Sequence, residues 1–75
     1  MTRTEYINAV LEVTGGQSWE LVREGLADDI KNIEVQELQS EEWGEVKELR
    51  GFRRALIYIR DMRNLAKLEA KHDAV

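Results

Sequence analysis

The stretch that decides the fold is EEWGEVKELRGFRRALIYIRDMRNLAKLEAK, residues 41–71. It contains no Pro, and its apolar residues return every three or four positions: Val46, Leu49, Phe52, Leu56, Ile59, Met62 or Arg63, and Ala66. That spacing is the period of one helix face. A second stripe, Ala55, Tyr58, Met62 and Leu65, runs beside the first. Together they form an apolar face wider than one partner helix covers, which points to a bundle or an oligomer. Ser40 is a plausible N-cap. Glu41, Glu42 and Glu45 follow where a helix favours negative charge, and Lys67 and Lys71 lie where it favours cations. The spacing predicts a long helix over 41–71 and a frayed tail over 72–75.

Upstream, Trp19, Val22, Leu26, Ile30, Ile33 and then Glu37 or Leu38 step by three to five, which predicts a second helix over 19–39 opened by a Ser18 cap. Leu21 and Val35 fall off this stripe, and Asp28, Asp29, Lys31 and Asn32 fall on its wet side. Tyr6, Ile7, Val10 and Leu11 predict a short helix over 4–13, with Thr2 and Glu5 at capping-box spacing. Gly15-Gly16 would stop it in the left-handed conformation. The break between the second and third helices falls at Gln39-Ser40, where neither Pro nor a Gly pair forces a turn. One continuous helix over 19–71 is the alternative. Gly44 weakens a helix interior, and Gly51 reads as a point where two helices cross. The expected fold is all-α: a short N-terminal helix followed by an antiparallel helical hairpin, in one domain over 1–75.

Charge follows the same division. From Glu20 to Glu48 acids outnumber bases ten to three, and from Arg50 to Lys71 bases outnumber acids seven to two. An acidic arm and a basic arm can pair within a hairpin or guide assembly with other chains. The net charge of −4 argues against a general nucleic-acid binder. At 75 residues a single core gives a small stability margin, and with no Cys and one His neither disulfides nor a Cys/His metal site can add to it. Self-association or docking on a larger protein is the remaining support. No signal-peptide core and no apolar run long enough for a membrane span appears, so the expectation is a soluble chain with no membrane partner.

Candidate chemistry is sparse. Asp28-Asp29 diverge by about 100° on a helix and do not face each other. Glu41 and Glu45 share a face, but no loop is present to wrap a hard cation. His72 has no triad partners, and Gly15-Gly16 lacks the Lys and strand of a phosphate-binding loop. No catalytic residue, metal ligand or cofactor is expected. The charged candidates are Arg50, Arg53, Arg54, Arg60 and Arg63, which could track phosphates or pair with Glu20, Glu24, Asp28, Glu34 and Glu37. The apolar interface candidates are Trp19, Leu26, Ile30, Trp43, Phe52, Leu56 and Ile59. Trp and Arg are the side chains most enriched among interface anchors.

The run Ser18-Trp19-Glu20-Leu21-Val22-Arg23, a helical spacer, then Glu45-Val46-Lys47-Glu48-Leu49-Arg50-Gly51-Phe52 resembles small helical proteins from the head and packaging gene clusters of tailed bacteriophages. The resemblance spans about residues 18–66 and carries no catalytic motif. It implies a non-enzymatic virion accessory or assembly subunit, repeated on a capsid, portal or connector. The partners would be copies of itself or a larger phage structural protein, in the virion or the host cytoplasm. The competing expectation is a small phage regulator that binds nucleic acid, or a nucleic-acid enzyme, through the basic helix face.

Overall fold

The computed structural model describes residues 1–73, and all three of its elements are α-helices: α1 (Arg3–Val13), α2 (Gln17–Gln39) and α3 (Trp43–Asp73). The expected all-α order holds. At about 1.5 Å per residue, the 31 residues of α3 span about 46 Å, close to the longest molecular dimension of 48 Å. The helix α3 is therefore the spine, and the other two pack on it in succession.

Three polar contacts give the direction of that packing. Arg3 meets Glu69, Arg63 meets Leu11 and Thr14, and Arg53 meets Glu37. Both α1 and α2 thus run antiparallel to α3, α1 along its C-terminal third and α2 along the rest. The extensive contacts join α1 to α3 and α2 to α3, not α1 to α2. The molecule is a hairpin whose first arm is interrupted at residues 14–16.

The start of α1 is as its sequence predicts: Thr2 is the N-cap, and its hydroxyl accepts from the Glu5 amide at 3.1 Å. Its end differs. No described Gly has a positive φ, so the left-handed stop at Gly15-Gly16 is not used. Thr14 closes the helix instead, at φ −90° and ψ 4°, and side chains take the free carbonyls. A Cβ at Gly15 would sit 3.1 Å from the Leu11 carbonyl oxygen, a tight contact to which the end of α1 would have to give by a few tenths of an ångström.

The second helix opens two residues before the expected Trp19, with Gly16 as an N-cap that provides no side-chain bond, so Ser18 lies inside the first turn. Ser40 ends α2 with extended backbone, φ −79° and ψ 133°, and does not cap α3, which begins at Trp43 rather than residue 41. Glu42 supplies the first helical carbonyl, accepting from Val46 at 3.0 Å. The continuous-helix alternative fails here for an electrostatic reason as well as an apolar one. Unbroken, it would stack Glu37, Glu41 and Glu45 at four-residue intervals, each pair repulsive. It would also leave Ile30 and Ile33 in water. The last helix continues through His72 and Asp73, so these two residues are not a frayed tail; residues 74 and 75 of that expectation lie outside the described residues.

The buried apolar set is small: Ile7, Val10, Trp19, Ile30, Ile33 and Ala66. Ile7, Val10 and Ala66 form the α1–α3 cluster, edged by Tyr6, Leu11, Met62 and Ala70. Leu26, Val46, Leu49, Leu56 and Ile57 are half-buried along α2 and α3. Of the alternatives at the end of the α2 stripe, Glu37 turns inward and Leu38 is 88% exposed.

Gly51 does not mark a helix crossing within this chain, because nothing lies within 4 Å of where its Cβ would be. Gly51→Ala should therefore stabilise the fold by about 0.5–1 kcal/mol, the helix-interior difference between the two residues. Thermal unfolding of the two proteins checks this. An unchanged or lower midpoint in the Ala variant would show that the position answers to something outside the fold.

Candidate interaction surface

The surface is best understood by sorting the arginines of α3. Positions 46, 49, 53, 56, 60 and 63 alternate steps of three and four, and all six are half-buried. Three of these six inward positions are Arg. Arg53 Nε donates to Glu37 at 2.8 Å, and Arg53 Nη1 lies 3.9 Å from Glu34. Arg60 Nε donates to its neighbour Asp61 at 3.1 Å. That bond holds the Asp61 carboxyl below its ordinary pKa and raises the guanidinium's. Arg63 Nη1 donates to the Leu11 carbonyl oxygen at 2.9 Å and to the Thr14 hydroxyl at 3.1 Å. A cation at a helix C-terminus takes up free carbonyls and favours the helix dipole, so Arg63 serves as the cap of α1. Thr14, only 2% exposed, completes the cap by donating to the Val10 carbonyl at 2.7 Å.

The far end of α1 is held by Arg3, whose Nε and Nη2 donate to both Glu69 oxygens at 2.6 and 2.8 Å. The hydrogen bond from Arg3 lowers the Glu69 pKa. The Arg3 guanidinium also lies 5.1 Å from the Tyr6 ring centre. Arg53, Arg60 and Arg63 are thus occupied within the chain. Of the five arginines expected at an interface, Arg50 and Arg54 are exposed and make no ion pair among the described residues.

The apolar candidates divide in the same way. Trp19 and Ile30 are interior, Leu26 and Leu56 half-buried, and Trp43, Phe52 and Ile59 exposed at 60%, 59% and 36%. The Trp19 Nε1 has no acceptor among protein atoms, so this residue contributes through its apolar surface. Trp43 stands in water with two cations over its ring, Arg50 at 5.1 Å and Lys47 at 5.6 Å. Such stacking holds an exposed aromatic in one orientation and is worth about 0.5–1 kcal/mol per pair.

Sequence spacing did not single out Lys47 or the outward residues of α2. Leu21, Val35 and Leu38 are exposed at 69%, 46% and 88%, on the same side as exposed Glu24 and Asp28. With exposed Lys31, which lies on the same side, these residues step by 3, 4, 3, 4 and 3, a helix-face signal hidden beneath the stronger inward stripe.

The recesses that accompany these surfaces are small or open. The recess between α1 and α3, lined by Arg3, Tyr6, Tyr58, Met62, Leu65 and Glu69 among others, measures about 30 Å³. Small-molecule sites are typically about 300–1,000 Å³. Glu41 and Glu45 line an open depression beside the α2–α3 turn, and no group of three His, Cys, Asp or Glu is placed to hold a metal among the described residues. Among the described residues no helix is long and apolar enough to cross a membrane. No protein-family model, curated protein or solved structure matches the chain.

Proposed function

We propose that this chain is a non-enzymatic interaction subunit, and specifically an accessory or assembly protein of a tailed-phage virion. The observation that carries the interaction reading is the imbalance of its apolar surface. Among the described residues six apolar ones are buried, while twelve large ones, Trp43 and Phe52 among them, stay exposed. A thin two-layer hairpin with so little interior gains most from a partner that covers what it leaves out. The virion assignment rests on the resemblance of residues 18–66. Its test is mass spectrometry of purified particles made by the genome that encodes the chain. The chain is expected there in many copies per particle, and its absence from intact particles would overturn the assignment.

Nucleic-acid binding is the second reading, favoured by exposed Lys47, Arg50 and Arg54 grouped around Trp43. Under it, duplex DNA would bind with an affinity falling steeply with salt, and Arg50→Glu with Arg54→Glu would abolish binding. The protein-interaction reading expects no such binding at physiological salt.

A further inference from the structure

We propose that the outward stripe of α2 in one copy of this chain docks on the outward stripe of α3 in a second copy, so that copies add head to tail. The proposal rests on the interaction reading above and names its occupant.

The two stripes are complementary. On α2, exposed Leu21, Glu24, Asp28, Lys31 and Val35 follow one face, with Leu38 at its edge; its two acids outnumber its one base, and among the described residues none of the three is in an ion pair. On α3, exposed Trp43, Lys47, Arg50 and Arg54 step by 4, 3 and 4, and Tyr58 continues the face one turn on. Among the described residues none of these cations is in an ion pair, and no acid interrupts the face between Trp43 and Tyr58. Each stripe thus has a charged middle and apolar ends. Their lengths also match, at about 26 Å from Leu21 to Leu38 and about 22 Å from Trp43 to Tyr58, taking about 1.5 Å per residue. Trp43 with its stacked Arg50 is the kind of anchor on which interfaces concentrate their binding energy.

The placement of the stripes selects the symmetry. The inward faces of α2 and α3 meet at Arg53, Glu34 and Glu37; the α2 stripe lies on the far side of α2 from this seam, and the α3 stripe lies on a flank of α3, about 100° round the helix from Arg53, so the two stripes face different directions. One partner cannot cover both. A two-fold pair built on the α3 stripe would place base on base, and one built on the α2 stripe would leave Trp43 and the α3 cations uncovered. Joining unlike stripes gives a heterologous contact, which repeats into a ring or a filament. A second copy also covers Leu21, Val35 and Leu38, which an anionic polymer on α3 would leave in water.

The test is light scattering of the full chain across concentration, with two charge-reversed variants, Glu24→Arg/Asp28→Arg and Arg50→Glu/Arg54→Glu. Circular dichroism first establishes that both variants keep wild-type helix content. The wild-type mass is expected to grow past a dimer, and each variant alone to remain a monomer. Mixed in equal amounts, the variants should associate again, because each then offers the other a complementary stripe. A wild-type monomer at millimolar concentration, variants that associate like wild type, or a folded mixture that stays monomeric would each overturn the proposal. So would duplex DNA binding by a monomer, which would assign the α3 stripe to phosphate. A closed dimer that does not grow with concentration would overturn the head-to-tail contact alone and leave the interaction reading standing.

Discussion

Ile30→Ala is expected to destabilise the protein by about 2–5 kcal/mol, the range for truncating a buried Ile. Ile30 is 5% exposed and, with Ile33, forms the interior of α2. The loss approaches the whole margin of a domain this size, about 3–5 kcal/mol. The thermal midpoint should fall by at least about 8 °C, given about 4–8 °C per kcal/mol for a domain of 60–100 residues. Leu38→Ala is the internal control, because Leu38 is 88% exposed and its loss should change monomer stability by no more than about 0.5 kcal/mol. Urea unfolding of dilute protein compares the two. Equal losses from Ile30 and Leu38 would contradict the packing of α2 on α3.

Arg63→Met should act locally and detach α1. The substitution keeps much of the side chain's apolar stem but removes both donated bonds, to the Leu11 carbonyl at 2.9 Å and the Thr14 hydroxyl at 3.1 Å. Bonds from a charged donor contribute about 1.5–3 kcal/mol each, and an 11-residue helix has little stability of its own. With α3 as its main partner, α1 can open while the α2–α3 hairpin stays closed. Amide hydrogen exchange resolves this. Protection should fall more than tenfold across residues 5–13 and stay near wild type at Ile30 and Ile33. Unchanged protection in α1 would show that Arg63 is not its cap.

The three helices were legible in the sequence from their amphipathic period; the turn between α2 and α3 was not fixed by it, because neither Pro nor a Gly pair marks the break and one continuous helix fits the same stripes. The facing of α3 was also less legible. A periodic reading assigns Phe52, Leu56 and Ile59 to one buried stripe, yet Phe52 is 59% exposed, and Ile57, which lies off that stripe, is half-buried. Two causes combine. The helix has different neighbours along its length, so its covered side changes from the α2 portion to the α1 portion. Three of its inward positions are also Arg, whose apolar stems pack while their guanidinium groups reach carboxylates or carbonyls. Hydrophobicity counts such residues as surface. Arg50 and Arg54 could not be separated from Arg53, Arg60 and Arg63 by composition; only the positions of Glu34, Glu37, Asp61 and the end of α1 distinguish them.

Because α1 and α2 lean on α3 more than on each other, the order of synthesis opposes the order of packing. Ile7 leaves the ribosome 59 residues before Ala66, its partner in the α1–α3 cluster. At about 5–20 residues per second that gap is about 3–12 s, during which α1 has no surface to close on. The α1–α3 contact forms only after the second half of α3 has been made, and the acidic residues of α2 keep the waiting segments hydrated until then.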